Sequence, residues 1–592
     1  MTALAHPSPI DPLLLPDADE SALVRRVLAT MLREDVLGLR TRAITETRPD
    51  GRWLRLTRTV GEESITLCLP VQSDGFLCTD TVRQPELLRE PDGTRFDSVA
   101  GVVGVFAELA DPVDRSGFDD FGAECASALS AMRLHTKTRG GMTARLIAAY
   151  GCQLDRWTET AALGFDTLAA RHDHPVYPAA RARTGLTTAQ LRSYAPEFHP
   201  TFALRWLAVP VEQATVVGTL DLPAFWPTPA QLGAPELSST HVLLPVHPLS
   251  IGPALDQAIR SLGLDGRAVL LDSEFLDVVP TLSMRTVACL EAPGEYLKLP
   301  LATATLGVRN VRTIRPRTLS DGALCQRLLT TVLAGEARFR ERILLMDESV
   351  YAHAAHELLA VLCRRDPPAV RGCVVVPMAA LLSRAHDGRP VIDHLADRFY
   401  SGDVIALFDA WLELLFDWQA TLFGYGMALE SHQQNISLVL DDRGGPTLRL
   451  SFKDNDTPRV HTTRLRHRLG DEPAAFADPR INVDDDRPLT DLFTTITVHL
   501  CAGAFAFALA DLGRAPLSDL LDMVRDRLEQ AVARLDTPCA DRLRADVLEA
   551  PSLPVKAMVS AATLFSKQRS GAVDVNKHYT SGPNYLRDGA AR

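Results

Sequence analysis

The sequence predicts an α+β protein, on three observations. Ile436 to Leu440 is apolar and β-branched, Asp441 to Pro446 is turn-rich with Gly444 and Gly445, and Thr447 to Phe452 alternates apolar with polar, the pattern of a β-hairpin. Just before it, Val404, Leu407, Phe408, Trp411, Leu414, Leu415, Trp418 and Leu422 recur at the spacing of an amphipathic helix over Ser401 to Leu422. Ser401 or Asp403 can cap its start, and Gly424 and Gly426 end it. Two further strand pairs lie in the first half of the chain.

Taken in order, the chain divides into residues 1–145, 146–335 and 336–592, in keeping with roughly 150 residues per domain. The first region opens with a Pro-rich tail, followed by a helix over about Ala22 to Glu34. Strands at Trp53 to Val60 and Ser64 to Val71 are joined by Gly61-Glu62-Glu63, and a helix-rich part follows. There, Arg139-Gly140-Gly141-Met142-Thr143 has two glycines but neither P-loop spacing nor its terminal Lys-Ser/Thr, so it is a weak phosphate-binding candidate.

The second region is mixed. His172 and His174 are spaced for a metal but have no carboxylate or thiolate array beside them, so Arg181 and Arg183 form either an anion-binding loop or a solvated pair. Thr281 to Leu290 and Tyr296 to Thr305 read as a strand pair around Glu291 to Glu295. In an extended chain Ser283 and Arg285 face the same way, with Thr286 and Lys298 nearby. Arg309, Arg312, Arg315 and Arg317 follow, close to Gly307. Such a set is a clamp for phosphates or carboxylates, or a surface strand of alternating charge.

The third region is mainly helical around the hairpin. Gly470 to Arg487 is acidic and helix-breaking, a surface loop with the composition of a lid. Leu500 to Leu512 is a buried helix. The end, Pro554 to Arg587, is basic through Lys556, Lys567, Arg569, Lys577 and His578, with Lys556 on an expected helix. It is either a solvated face or a segment that closes over an anionic substrate.

Antiparallel pairing of the hairpin places the start of its first strand beside the end of its second, so His432, Gln434 and Asn435 should adjoin Lys453, Asp454 and Asp456. Amide and carboxylate oxygens suit Mg²⁺, and a lysine and a histidine suit phosphate. The alternative is a solvated hairpin end. The helix immediately before it favours a built site, because a rigid scaffold presenting a short polar loop is how sites are made.

Composition narrows the partners. With 46% hydrophobic and 23% charged residues the chain is globular, and a net charge of -12 argues against a nucleic-acid or membrane-surface role. No basic leader opens it and no apolar run approaches the ~20 residues of a membrane span, so a cytoplasmic protein is expected. The 10 cysteines show no CxxC or zinc spacing, which points to reduced, packed thiols such as Cys78, Cys152 and Cys373.

At these residues the chain resembles the IucA/IucC family of NRPS-independent siderophore synthetases. The resemblance rests on the His-Pro loop with Tyr194-Ala195-Pro196-Glu197-Phe198, Leu244 to Pro248, Ser283 to Thr286 with Lys298, Glu430 to Asn435, and Lys453-Asp454. It implies thumb, fingers and palm subdomains with a kinase-like helical palm containing the hairpin, ATP and Mg²⁺ as cofactors, and a homodimer. Ser283, Arg285, Thr286 and Lys298 would hold the triphosphate, and His432, Gln434 and Asn435 would complete the nucleotide site. Glu430, Asn435 and Asp454 would hold Mg²⁺, while His174, Arg309 and Lys556 would meet the acid. Arg285, Lys298, Arg309 and His432 would be catalytic.

The chain departs from the family pattern in three places: Tyr177 and Arg181 replace a His and a Lys, Lys453 replaces an Arg, and the interval from Lys298 to Arg309 is one residue short. Arg312 is therefore the alternative to Arg309. The implied reaction is adenylation of a citrate-like carboxylic acid and its condensation with an amine, hydroxylamine or alcohol, releasing AMP and pyrophosphate. A small-molecule kinase and a non-catalytic carboxylate- or siderophore-binding protein are the rival readings.

Overall fold

Helix α1 (Ala18–Arg33) starts where Asp17 accepts the Asp19 and Glu20 amides, and its apolar stripe of Leu23, Val24, Val27 and Leu28 is wholly buried. The computed structural model describes residues 17–60, 62–218, 223–445, 447–470, 476–571 and 578–587. The Pro-rich tail, Gly61, Pro446, Lys577, the Lys567 side chain and residues 471–475 of the acidic stretch lie outside the described residues.

α1 packs on a sheet that runs 44–48, 51–60, 63–73, 87–90, 94–96, with 80–82 paired onto 63–73. The expected hairpin is present, with Val60 opposite Glu63. Helix α2 (Arg115–Tyr150) covers this core and contains Arg139 to Thr143 in its interior, so those glycines form no phosphate loop. It also runs past residue 145.

An eight-stranded sheet fills the middle of the chain. It holds β1 (Val269–Pro280), β2 (Thr286–Cys289), β3 (Glu295–Lys298), β4 (Asp347–His356) and β5 (Leu359–Arg365), in the order 215–217, β4, β5, β3, β2, β1, 202–210, 241–246. The sheet therefore draws strands from both sides of residue 335. Thr281 to Arg285 is a turn and not the strand expected. Its hydroxyls explain the difference: Thr281 Oγ1 donates to the Thr286 carbonyl and Ser283 Oγ accepts the Thr286 amide, while Met284 takes φ +64°. The return strand stops at Lys298, because Pro300 has no amide to continue the ladder.

Helix α3 (Val404–Gly424) follows the expected stripe, capped by the Asp403 carboxylate on the Ile405 and Ala406 amides. Against it lies a four-stranded sheet in which β6 (Ile436–Leu440) and β7 (Leu448–Phe452) form the hairpin, flanked by 374–377 and 343–345. Helix α4 (Arg487–Asp511) is apolar and long enough to cross a membrane, but 89% of its apolar 18-residue window is buried inside the protein, as a core helix is. Its turns are wide over Phe493–Gly503, and there the Leu500 carbonyl accepts Gln433 Nε2 at 2.6 Å. α4 thus supports the loop before β6 from beneath.

From residue 476 onward the acidic stretch is pinned. The Ala477 and Asp478 amides donate to Asp321, and Asp478 pairs with Arg480, so this part is no free lid. Lys556 ends β8 (Ser552–Lys556), paired with β9 (Tyr579–Pro583), and not a helix. Pro551 and Pro554 disfavour a helix there, and the strand's inner side chains Leu553 and Val555 are buried.

Burial also makes the fold acid-sensitive. His135, His247 and His499 are at most 3% exposed, and burial lowers their pKa to about 2, 3 and 4. An unfolded histidine titrates at about 6.5. Below that pH the unfolded chain takes up protons that the native imidazoles refuse, so stability present above pH 6.5 is lost progressively as the pH falls toward 4. Thermal melts across this window should show Tm declining with acid; a Tm that holds level or rises would contradict neutral buried imidazoles.

Candidate active site at the hairpin mouth

The register of the hairpin brings its two ends together as expected: Ile436 faces Phe452, and the Lys453 amide donates to the Asn435 carbonyl at 3.1 Å. The loop before β6 is wound tightly. The His432 amide donates to Glu430 O, the Asn435 amide to His432 O, and Asn435 Nδ2 to Glu430 O at 3.1 Å, so these bonds leave the Asn435 side-chain oxygen unused. His432 Nδ1 accepts the Gln434 amide, and His174 Nδ1 accepts the Val176 and Tyr177 amides at 3.2 and 3.0 Å. In each ring the proton therefore belongs on Nε2. Burial lowers both pKa values, and the nearby His432 further disfavours protonation of His174. The site holds them as neutral donors.

Glu430 pairs with Lys556 at 3.1 Å. Burial would raise the Glu430 carboxyl, but Lys556, with smaller contributions from His432 and Arg459, lowers it on balance. Strand β8 brings Lys556 here from 126 residues away.

The eight-stranded sheet supplies the facing wall. Thr286 stands opposite Lys298 in the β2–β3 register, and Arg364 lies on the neighbouring strand β5. Lys298 Nζ lies 2.5 Å from Asp454 and 3.0 Å from Asp456, and Arg364 lies 2.6 Å from both Asp454 and Glu348. Glu348 also accepts the Asp454 amide at 3.0 Å, holding a backbone with φ +56°. Burial opposes every one of these charges, yet Arg364 and Lys298 hold the Asp454 carboxyl well below its usual range, and Asp454 with Asp456 lifts the Lys298 ammonium. Arg364 and Glu348 were missed in the sequence. Each sits beside a second charge at a strand end, Glu348 next to Asp347 and Arg364 next to Arg365, and only the fold shows that both meet Asp454.

The turn at 281–285 places Ser283, Arg285 and Thr286 beside this pair. Arg285 Nη1 donates to the Thr313 carbonyl at 2.7 Å, and Thr286 Oγ1 is buried with no hydrogen-bond partner. Between the two recent alternatives the geometry favours Arg312. Its guanidinium is held by Thr305 Oγ1 and O, and burial followed by the nearby Arg285 and Arg183 lowers its pKa, as expected where cations await an anion. Arg309 is exposed and donates to the Ala561, Thr563 and Phe565 carbonyls.

The other basic candidates are spent elsewhere. Arg181 pairs with Asp173 and buried Arg183 with Glu197, so they form neither the anion-binding loop nor the solvated pair expected; each has a carboxylate within reach. Arg569 pairs with Asp111 and Asp114. No group of three or more His, Cys, Asp or Glu among the described residues could hold a metal unaided. Glu430, Asp454 and the Asn435 amide oxygen nevertheless suit Mg²⁺, a hard ion that keeps waters and takes phosphate oxygens alongside one or two carboxylates.

Residues 163–383 match the IucA / IucC family, and residues 406–570 match a family described as ferric iron reductase FhuF-like transporter. Staphyloferrin B synthase of Staphylococcus aureus is 24% identical over 71% of this chain and 75% of its own. The citryl-spermidine/3,4-dihydroxybenzoyl-citryl-spermidine:spermidine ligase of Bacillus anthracis is 24% identical over 57% of this chain and 60% of its own. Among solved structures, the petrobactin biosynthesis protein AsbB of Bacillus anthracis superimposes with a TM-score of 0.73 at 19% identity, covering 95% of each chain. ATP-bound aerobactin synthetase IucA of Klebsiella pneumoniae gives 0.64 at 19% identity, over 96% of this chain and 100% of that one. The superpositions establish a shared α+β fold, and the strands and turn that carry Ser283, Arg285 and Lys298 lie within the stretch that matches the IucA / IucC family.

Proposed function

We propose that this protein is an ATP-dependent ligase of siderophore biosynthesis that adenylates a citrate-like carboxylic acid and joins it to an amine, hydroxylamine or alcohol. The observation that carries the reading is the convergence of Lys298 and Arg364 on Asp454, with Arg285 and Arg312 alongside. Four cations around one half-buried carboxylate are what a polyphosphate and a carboxylate need in order to meet. The curated relative named as a citryl-spermidine ligase and the ATP-bound structural neighbour support the acid, the amine and the nucleotide.

In the arrangement described, Asp454 stands where a phosphate would be held. When a triphosphate binds, Lys298, Arg364 and Arg285 exchange the carboxylate for phosphate oxygens, and Ser283 and Thr286 add hydroxyl donors. Asp454, released by that exchange, would with Glu430 and Asn435 hold Mg²⁺, which would supply charge neutralisation to the phosphates. Arg312 and Lys556 hold the acid's carboxylates on the other side of the hairpin mouth. A carboxylate oxygen attacks the α-phosphorus and pyrophosphate leaves. The nucleophile then attacks the acyl carbon, AMP leaves, and the nucleophile gives up its proton. The Nε2–H groups of His174 and His432 are poised to donate to the oxyanion of that second step.

The test is acid-dependent ATP consumption with hydroxylamine as surrogate nucleophile, over citrate, 2-oxoglutarate and succinate, with the nucleotide products resolved. AMP formed with citrate is the expected result. ADP would identify a phosphotransferase, and tight citrate binding without turnover would identify a binding protein.

A further inference from the structure

Glu124 is 4% exposed on α2, and no lysine or arginine pairs with it among the described residues. It is held only by hydrogen bonds. Tyr177 Oη donates to its two oxygens at 3.0 and 2.9 Å, the Gly307 amide to Oε1 at 2.9 Å, and Thr563 Oγ1 to Oε2 at 3.4 Å. A buried carboxylate with no counter-ion is an expensive way to fill space, because an apolar side chain of similar volume packs there without desolvation.

Each donor belongs to a different segment, and each segment carries an acid-side group. Tyr177 lies three residues after His174, and its amide is one of the two that fix the His174 ring. Gly307 anchors the loop in which the Asn310 amide donates to Gly307 O and the Thr305 amide to Asn310 O, and Thr305 in turn holds Arg312. Thr563 is in the turn Ser560–Leu564 that follows Lys556, and Arg309 ties this turn to the same loop through the Ala561 and Thr563 carbonyls. The contact between them is close: Gly307 has φ +112°, and a Cβ there would come within 2.3 Å of Ala562 Cβ.

We infer that Glu124 is the positioning residue of the acid-binding side, setting His174, Arg312 and Lys556 relative to one another through Tyr177, Gly307 and Thr563. The nucleotide side has its own support, because Glu348 holds Asp454 and Arg364 without reference to Glu124. The inference rests on the proposed function, and it explains the tyrosine at position 177: a phenol reaches Glu124 from a fully buried ring.

The experiment compares the full-length protein with Glu124→Gln, Tyr177→Phe and Thr563→Val. KM for citrate and for ATP is measured by AMP release, and the rise in Tm induced by each ligand is measured separately. Glu124→Gln and Tyr177→Phe should raise the citrate KM about tenfold or more and abolish the citrate-induced rise in Tm. The ATP KM should stay within about twofold, and Thr563→Val, which removes the longest bond, should have the smallest effect. Tyr177→Phe keeps the ring and carries the test if Glu124→Gln does not fold. Unchanged citrate KM in both variants, or equal rises in both KM values, would overturn the inference. Wild-type protein that releases no AMP with any acid would instead remove the proposed function beneath it.

Discussion

Asp454→Asn is expected to lower kcat/KM by about a thousandfold or more, the largest effect of any single substitution in the site. The asparagine keeps the shape, and its backbone can retain the left-handed turn that Glu348 holds. What it loses is the charge that gathers Lys298 and Arg364 and that, on the proposed function, would help to hold Mg²⁺. Two buried cations would then face each other with one carboxylate fewer, and removing one partner of such a pair costs about 3–5 kcal/mol. Tm should therefore fall as well, so turnover is to be measured at a temperature where far-ultraviolet circular dichroism shows the variant folded. Near-normal turnover in a folded variant would refute the assignment.

The second large effect separates two arginines that the sequence left as alternatives. Arg312→Ala should raise the acid KM about a hundredfold with a smaller change in the ATP KM, because its guanidinium, held by Thr305 next to Arg285 and Arg183, makes no salt bridge among the described residues and can take the substrate's carboxylate. Arg309→Ala should act mainly on stability, since its guanidinium is already engaged by three carbonyls of the 560–565 segment. Paired substrate titrations and thermal melts decide between them. An Arg309→Ala protein of normal Tm with a greatly raised acid KM would reverse the assignment.

These expectations show what the sequence could and could not reveal. The hairpin and α3 were legible because their periods of two and 3.6 extend over enough residues to be unambiguous, and pairing geometry alone then put Asn435 next to Lys453. The turn at 281–285 was not legible, since its apolar and polar residues alternate like a strand while its hydroxyls serve the backbone. Lys556 was assigned to a helix for want of its partner strand, which lies beyond residues 572–577. Glu348 and Arg364 could not be read at all. Their partner Asp454 is 106 residues from Glu348, and nothing local distinguishes a buried charge that meets it from an exposed one. His174 stood out in the sequence as half of a histidine pair and Lys556 as part of the basic end, and the fold places both beside the Glu430–Asn435 loop.

The most direct test of acyl-adenylate chemistry follows an oxygen atom. Citrate labelled with ¹⁸O in its carboxylates, incubated with ATP, Mg²⁺ and an amine, should deliver one labelled oxygen to the phosphate of AMP when product forms, because the attacking carboxylate oxygen leaves with the α-phosphorus. Mass spectrometry of AMP reads it directly. Label appearing in AMP is the predicted result; label in inorganic phosphate, with ADP as the nucleotide product, would contradict the account.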